Sequence, residues 1–351
     1  MKKVIAIVLA AGEGIRMKSA ILPKVLHPIC WKPMISYILE TIESIGIKKI
    51  IVVTGYKAEL VKKFLGTNSN GNINIKTAMQ KNMLGTADAV GCTRRILKKF
   101  KGGLLILYGD MPLITPDCLE TLIRKNQSTG ASCTLLTSMV KNPTGFGRIV
   151  RDDQGRVLRI VEENDASIYE KVIEEINVGA YCFDAESLFE ALKKVKAHNK
   201  KGEYYLTDTI SLLSRRGKRI ESISTNNLDE AFAVSSRNDL IKAQEIIRKR
   251  TLNKLIEKGV TIVDPETTYI DDRVEVNQDT VIHPFTIIEG EVRIGNRCSV
   301  GPFCRIQGKT DIADDVEVGN FVHIINSSID SGSFIASHAF LKDKKIRRAK
   351  R

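Results

Sequence analysis

Branched aliphatic residues recur at every sixth position in the last third of the chain. The run is Ile270, Val276, Ile282, Ile288, Ile294, Val300, Ile306, Ile312, Val318 and Ile324. The register then slips by one residue and resumes at Ile329, Ile335 and Leu341. Neither an α-helix nor a simple strand has this period, whereas a β-helix stacks one such side chain inside each face of each turn. We therefore predict a short left-handed β-helix of roughly four coils over residues 259–341.

The earlier part of the chain alternates between strand-like and helix-like segments. Strand-like apolar runs cover residues 3–9, 49–54 and 104–108, and helix-like periodicity covers residues 33–46 and 58–65. This order predicts an α/β, Rossmann-like domain with a mostly parallel sheet and right-handed crossovers. Ligands of such sheets bind at the carboxyl ends of the strands. The loop 10–16 and Asp110 are expected at that edge.

Between the two patterns, residues 229–258 have the apolar spacing of one long helix. We interpret it as a linker between domains. The predicted organisation is a first domain of residues 1–228, the linker helix, the β-helix, and a basic tail over residues 342–351. The tail is expected to be solvated rather than a binding arm.

Composition narrows the class of protein. With 43% hydrophobic and 27% charged residues the chain is expected to fold. No apolar run is long enough to cross a bilayer, and the opening residues fit a strand better than a signal peptide. Seven cysteines lack paired spacing, as expected of free cytosolic thiols. We predict a cytoplasmic protein without stable membrane insertion.

The net charge of +13 is spread along the chain and is not accompanied by an aromatic-rich nucleic-acid motif. A small anionic substrate explains an excess of basic residues as well as a nucleic-acid partner would. We therefore predict no nucleic-acid partner.

The segment after the first predicted strand has the features of a phosphate-binding loop. The small residues Ala10, Ala11 and Gly12 allow backbone N–H groups to approach a phosphate. Arg16 and Lys24 add positive charge where a triphosphate would lie. A dinucleotide-binding loop would need a third glycine, and a P-loop would need Gly-Lys-Ser/Thr, so neither interpretation holds. A Gly-x-Gly turn alone is weak evidence, but the two cations strengthen it.

A series of motifs in a fixed order resembles one family. The motifs lie at residues 9–17, 23–27, 80, 84–87, 108–113, 143–149, 160–162, 175–177 and 202–208. Together they closely resemble the bacterial bifunctional N-acetylglucosamine-1-phosphate uridyltransferase / glucosamine-1-phosphate acetyltransferase family (GlmU-type). The resemblance extends over nearly the whole chain, and the motifs taken as an ordered set are highly specific.

The resemblance implies a reaction of UTP with N-acetylglucosamine-1-phosphate that gives UDP-N-acetylglucosamine and pyrophosphate, with Mg²⁺ as cofactor. It assigns nucleotide binding to Leu9, Ala10, Ala11, Gly12, Gln80, Gly85 and Thr86. It assigns catalysis to Arg16, Lys24 and Asp110, with Asp110 as a metal ligand. The sugar pocket would contain Tyr108, Gly109, Gly147, Glu162 and Asn177. By the same analogy the β-helix would assemble a homotrimer.

Structural interpretations of three of these residues stay open at this point. Asp110 also suits a helix N-cap, because short acidic side chains favour that position. Glu162 also suits a solvated charge at a strand end, and Asn177 a turn.

Several positions depart from the family pattern. Ile15 stands where Thr is usual, and Asn164 stands where Lys is usual. Ser235 aligns with the second metal ligand, an Asn in the family, and a hydroxyl is a weaker ligand than an amide oxygen. His338 is one residue out of step with the family's catalytic His, and the coils that would bind acetyl-CoA are missing from this sequence. The resemblance therefore implies no acetyltransferase activity.

Three other functions stay open. The protein could transfer another nucleotide or act on another sugar phosphate. It could be a degenerate paralogue that binds nucleotide-sugar without turnover, for which Ile15, Asn164 and Ser235 are the best support. It could also be an acyltransferase of the hexapeptide class, which the shifted His338 argues against.

Overall fold

In a computed structural model, which describes residues 3–67 and 73–347, the chain forms two compact units. The first comprises residues 1–28 and 32–243, and the second comprises residues 29–31 and 244–351. No helix in the described part of the chain is long and apolar enough to cross a membrane.

In its described residues, the first unit is built on a mixed, mostly parallel sheet of nine strands. The strands up to residue 225 are β1 (Val4–Ala10), β2 (Pro28–Ile29), β3 (Lys32–Pro33), β4 (Lys49–Thr54), β5 (Asn74–Met79), β6 (Gly103–Tyr108), β7 (Cys133–Met139), β8 (Gly147–Arg151), β9 (Val157–Val161), β10 (Glu175–Asp184) and β11 (Ile220–Thr225). Their order across the sheet is β11-β7-β10-β6-β1-β4-β5, and β8 pairs with β10 and β9. β10 runs antiparallel to β6 and β7, whereas β1, β4, β5 and β6 are parallel.

Helices cover both faces of this sheet. The α-helices of the chain are α1 (Met34–Ser44), α2 (Ala58–Thr67), α3 (Thr86–Gly91), α4 (Pro116–Thr129), α5 (Ile168–Lys171), α6 (Ala185–Leu192), α7 (Asp208–Ser214) and α8 (Arg237–Glu257). Successive side chains of a strand point to opposite faces, so the continuous apolar run of β1 supplies two cores. Ala6 and Val8 belong to the core that contains α1, and Ile5 and Ile7 belong to the core that contains α6. The predicted α/β architecture is confirmed.

The long helix starts later than the sequence predicts. Residues 229–236 do not continue it, because Leu228–Ala231 forms a separate 3-10 helix and α8 begins at Arg237. The physical reason is a capping arrangement in which Oδ2 of Asp239 accepts hydrogen bonds from the N–H and the hydroxyl of Ser236, at 2.9 and 2.8 Å. The boundary between the two units lies within α8, between Ala243 and Gln244.

The second unit is the predicted left-handed β-helix. Its strands are β12 (Thr261–Ile262), β13 (Tyr269–Ile270), β14 (Glu275–Val276), β15 (Val281–Ile282), β16 (Ile287–Ile294), β17 (Ser299–Val300), β18 (Arg305–Ile312), β19 (Glu317–Val318), β20 (His323–Ile325), β21 (Ser328–Ile329), β22 (Phe334–Ile335), β23 (Phe340–Lys342) and β24 (Lys345–Ile346). All their pairings are parallel, as for Ile288 with Ile306 and Ile306 with Ile324. The residues at the six-residue period are buried in one apolar stack.

Left-handed backbone conformations recur at three corners of each coil. Positive φ angles recur at Asp279, Arg297, Asp315 and Gly332 at one corner, at Phe285, Phe303, Phe321 and His338 at the second, and at Gly290, Gly308, Asn326 and Asp343 at the third; Gly301 also has positive φ. The predicted slip in register falls at the third corner. There Gln307 pairs with Ile325 but Asp311 pairs with Ser328, so the later coil is one residue shorter.

The prediction that the β-helix ends at residue 341 is wrong, although the described residues after it, apart from Ile346, are exposed to solvent. β24 pairs with β21, and Ile346 stacks on Ile329 in the inward position. The β-helix therefore continues beyond residue 341. The reason is that an inward aliphatic residue outweighs the basic composition around it. Residues 348–351 lie outside the described residues.

Candidate active site

The carboxyl ends of β1, β4, β5 and β6 meet at one edge of the sheet. Leu9 pairs with Tyr108, and Ala10 pairs with Thr54. The N–H of Gly109 donates a 2.9 Å hydrogen bond to the carbonyl of Leu9. The small-residue loop after β1 and the Gly109-Asp110 turn after β6 therefore lie side by side, as predicted from the parallel order.

The loop after β1 folds tightly against Lys24. Gly14 has φ of 69°, and a Cβ at this position would lie 2.6 Å from the Cβ of Lys24. A side chain is therefore excluded here on grounds of both conformation and space. The ammonium of Lys24 forms an ion pair with Oδ2 of Asp110. Arg16 lies exposed on the 3-10 helix Ile15–Met17 of the same loop.

Asp110 lies next to the segment that contains Ser235. The N–H of Val234 donates a 2.8 Å hydrogen bond to the carbonyl of Asp110. Asp239 accepts from the N–H of Ser235 at 3.1 Å, which fixes the backbone of that segment. Asp110 is not a helix cap, because Thr115 caps the following helix, α4.

Gln80 and the Gly85-Thr86 turn form a second part of the site. Gln80 is almost fully buried, and its Nε2 donates to the carbonyl of Gly85 at 3.0 Å and to Oδ2 of Asp88 at 2.9 Å. Gly85 has φ of 114°, and a Cβ there would lie 2.5 Å from the carbonyl oxygen of Tyr204. The hydroxyl of Thr86 accepts from the N–H of Leu206 at 2.8 Å. The motif 202–208 thus holds this turn in place.

The predicted sugar residues Gly147, Glu162 and Asn177 form a third part. Gly147 pairs with Asn177 in the sheet. A Cβ on Gly147 would lie 3.4 Å from Oε2 of Glu162 and 3.6 Å from the Cβ of Asn177. Asn177 lies within β10 and not in a turn, and its side chain exchanges hydrogen bonds with the hydroxyl of Tyr181 at 2.7 and 3.0 Å.

Glu162 is partly buried and accepts a hydrogen bond from Thr207, so it is not a fully solvated strand-end charge. Burial raises the pKa of Glu162, a hydrogen bond from Thr207 at 2.9 Å lowers it, and the carboxylates of Asp208 and Asp165 raise it further. Lys201 is the cation that lowers the pKa of this carboxyl. The site therefore has a partly desolvated acidic end around Glu162 and a cationic loop around Lys24.

Tyr108 connects the second and third parts. It is the last residue of β6, and its phenol lies close enough to Thr86 and Tyr181 for both to influence its pKa. Burial raises the pKa of the Tyr108 phenol, and the charges of Glu162 and Asp110 raise it further. The phenol is therefore neutral and able to donate a hydrogen bond at physiological pH.

Comparison with known proteins identifies the family of the chain. Residues 5–230 match the family described as nucleotidyl transferase, which is more than half of the chain. The chain belongs to the nucleotidyl transferase family. Residues 273–308 also match the bacterial transferase hexapeptide, in agreement with the β-helix. Nucleotidyltransferases of this family generally use a divalent metal ion.

This nucleotidyl transferase is similar to proteins named "Bifunctional protein GlmU". It is 44% identical to the one from Shouchella clausii over 283 residues, which are 81% of this chain and 61% of the relative. It is 45% identical to the one from Geobacillus sp. strain WCH70 over 288 residues, which are 82% of this chain and 61% of the relative. The predicted resemblance is confirmed, and the matched region spans about three fifths of the length of these relatives.

A solved structure shows the same fold. The chain aligns with a candidate glucose-1-phosphate thymidylyltransferase from Bacillus anthracis, in complex with sucrose, with a TM-score of 0.58. The two are 20% identical, and the alignment covers 69% of this chain and 94% of that one. At this identity the likeness concerns the fold alone.

Several residues of the site were missed by sequence reasoning. Thr207 contacts Glu162 and lies within the 202–208 motif, so a signal was present. Lys57 donates to the carbonyls of Ala20 and Ile21, the latter at 3.0 Å, and so anchors the loop before Lys24. Tyr181 is an ordinary apolar-strand residue in sequence, and no pattern marks it.

Proposed function

We propose that this protein transfers a uridyl group from UTP to N-acetylglucosamine-1-phosphate. The observation that carries the proposal is the placement of Lys24, Asp110 and the Ser235 segment at the end of β6, beside the Gly147, Glu162 and Asn177 cluster. A nucleotide and a sugar phosphate bound in these two places would meet near Tyr108, whose pKa is raised by the charges of both Asp110 and Glu162. Similarity to the GlmU proteins supports the choice of this substrate pair.

The nucleotide would be bound by groups that the fold has already fixed. Leu9 to Gly12 would present backbone groups to it, and Gln80, with Gly85 and Thr86, would hold the uracil. The side chain of Gln80 is oriented by Gly85 and Asp88, so little ordering would be needed on binding. Arg16 and Lys24 would neutralise the triphosphate, because a guanidinium and an ammonium match phosphate oxygens.

Asp110 would hold Mg²⁺, with the hydroxyl of Ser235 as a weaker second ligand. Mg²⁺ in nucleotide sites is usually held by one or two carboxylates together with substrate phosphates and water, and not by an all-protein cage. The donor set fits this mode, because Asp110 supplies one carboxylate and the Lys24 ion pair places it beside the loop that would hold the substrate phosphates. When bound, Mg²⁺ would supply charge neutralisation at the phosphates.

The chemical step needs no covalent intermediate. A phosphate oxygen of the sugar phosphate attacks the α-phosphorus of UTP, a new P–O bond forms, and the bond from the α-phosphorus to the bridging oxygen breaks. Pyrophosphate leaves with that electron pair. The protein's contribution is positioning and charge stabilisation. Glu162 and Asn177 would orient the sugar through its hydroxyl groups, and Lys24 would stabilise the charge on the phosphates.

Pyrophosphate release from UTP and N-acetylglucosamine-1-phosphate tests the proposal. Other nucleoside triphosphates, glucosamine-1-phosphate and glucose-1-phosphate serve as substrate controls, and Asp110→Ala is measured alongside. We expect release that is confined to the proposed pair and lost in the variant. Release with another pair would reassign the substrates. UTP binding without release from any pair would favour the non-catalytic alternative, which Ser235 and Ile15 support.

Three further expectations belong to this proposal. We propose a homotrimer formed through the β-helix, which light scattering of the purified protein would test. Absence of acetyl transfer stays a prediction, and thiol release from acetyl-CoA with glucosamine-1-phosphate would contradict it. A cytoplasmic location also stays a prediction.

A further inference from the structure

A basic cleft lies at the opposite edge of the first unit's sheet. It has a cavity volume of about 940 Å³ and is lined by the segment 91–101 and by α6 with Lys193. Its lining contains six cationic side chains, namely Arg94, Arg95, Lys98, Lys99, Lys101 and Lys193, and two carboxylates, Glu186 and Glu190. We call it the basic cleft.

The basic cleft is separate from the candidate active site. Gly103, which starts β6 just after Lys101, pairs with Val4 and with Asp184, so the cleft adjoins the amino end of the parallel strands. Asp110 follows the carboxyl end of the same strand. A six-residue strand spans about 20 Å. A ligand in the cleft would therefore not be the triphosphate held at Lys24.

The cations of the cleft outnumber its carboxylates by six to two. Within the described residues, no ion pair is formed by any of the six, whereas Glu190 pairs with Arg216 at 3.7 Å. Like charges around one concavity repel one another and give it a positive potential, which salt screens because all six side chains are exposed. A bound anion would relieve this repulsion.

The floor of the cleft is apolar and fixed. Leu97 is buried, and Phe100 and Phe189 pack against the core below α6. The arginines lie on the 3-10 helix Cys92–Arg95, whose backbone is held by hydrogen bonds from Ile96 and Leu97 to the carbonyl of Thr93, at 3.0 and 3.1 Å. The cations therefore project from an ordered wall, which reduces the ordering needed on binding.

We infer that the basic cleft is a second anion-binding site, whose ligand is a small, multiply charged phosphate compound. Two adjacent guanidinium groups can bind phosphate oxygens in pairs, and the lysines add point charges. The volume of this open cleft is within the range of small-molecule sites. A long nucleic acid would need a basic surface extending beyond the cleft, and the two carboxylates on α6 limit it on that side.

Hydrogen exchange with inorganic tripolyphosphate as probe tests the site without using activity. In 50 mM salt, tripolyphosphate is expected to slow exchange in the segments 92–101 and 185–193, separately from any effect on residues 9–26. The double variant Lys98→Glu/Lys99→Glu should lose this protection, and the tripolyphosphate Kd of the cleft should rise about tenfold or more, because four charge units change. Both lysines are exposed, so the fold should be retained.

The matched control is Lys254→Glu/Lys258→Glu, which has the same charge change at exposed positions of the second unit. It should leave protection of the cleft unchanged. Equal loss in both double variants would show attraction by net charge alone and overturn the proposal. Protection confined to residues 9–26 would also overturn it. So would protection of the cleft by a 20-nucleotide RNA or by anionic vesicles without protection by tripolyphosphate.

Discussion

The two units bring their side chains together in different ways. In the β-helix, contacting residues are a near-constant distance apart in sequence: Ile288 pairs with Ile306, and Ile324 pairs with Leu341. In the first unit, Lys24 contacts Asp110 across 86 positions, and Thr207 contacts Glu162 across 45. Stability in the β-helix is therefore spread over equivalent coils, whereas the candidate site depends on contacts that occur once.

The substitution with the largest expected effect, Ile306→Ala, tests whether stability is spread over the coils of the β-helix. Ile306→Ala removes a fully buried side chain from the middle of the stack and should lower the free energy of unfolding of the second unit by about 4 kcal/mol. Denaturant unfolding followed by circular dichroism would measure it. UTP binding should be unchanged. If binding fell equally, the two units would not be independent, and the comparison would fail.

Lys24→Met tests one of the contacts of the first unit that occur only once. It removes the charge that pairs with Asp110, and kcat/KM for pyrophosphate release should fall about 100-fold through loss of phosphate stabilisation. The control Lys63→Met removes an exposed charge on α2 and should have no effect. A drop below threefold for Lys24→Met would mean that the ion pair is structural.

Glu162→Gln separates activity from stability. The pKa of Glu162 is raised by burial, so the folded protein holds a proton there more strongly than the unfolded chain does, and ionisation above that pKa is destabilising. The neutral amide should therefore raise Tm at pH 8, while kcat/KM for the sugar phosphate falls about tenfold. Differential scanning calorimetry and initial rates would measure both. A lower Tm would contradict the sign.

Phe303→Ala tests the aromatic ladder of the second corner. Phe303 stacks on Phe285 and Phe321 with centroids 4.8 and 4.9 Å apart, although all three rings are about half exposed. The substitution should lower stability by about 1 kcal/mol. The exposed Phe334→Ala, outside the ladder, is the comparison variant for thermal unfolding. Equal losses would show that stacking contributes nothing beyond burial.

Asp165→Asn should have the smallest effect, visible only in a pH profile. The carboxylate of Asp165 raises the pKa of Glu162, so its neutralisation should lower that pKa and move the acid limb of kcat/KM to lower pH. The amide retains the oxygen that accepts from the N–H of Lys200 at 3.0 Å. An unmoved or oppositely moved limb would show that another group controls it.

The repeating unit was largely predictable, because its contacts follow from one period. Even there, the end at residue 341 was wrong. Ile346 follows Leu341 by five positions, as Ile329 follows Ile324, so the one-residue shortening recurs in the next coil. A search for aliphatic residues at intervals of six therefore misses Ile346. The start of α8 was missed because a local cap at Ser236 and Asp239 overrides the apolar pattern before it.

The candidate site was predictable only in part. Parallel strand order is sufficient to bring Asp110 beside the loop after β1. Resemblance marked Glu162 and Asn177, but the roles of both remain predictions. The contacts of Tyr181 and Lys57 could not be predicted. Tyr181 contacts Asn177 within the same strand, but no motif marks it. Lys57 contacts the carbonyl of Ile21, which is 36 positions away in sequence.

Because the left-handed corners recur once in every coil, the β-helix can be lengthened one whole coil at a time. Each coil repeats the same three conformational positions, so a duplicated segment of one whole coil would meet matching hydrogen-bonding edges above and below it. Each such addition would extend the column by about 4.8 Å. Evolution or design could thus lengthen it as a spacer. A corner can absorb a change of one residue, as the shorter coil after Gln307 shows, whereas an odd-numbered insertion within a strand would turn inward residues out to solvent.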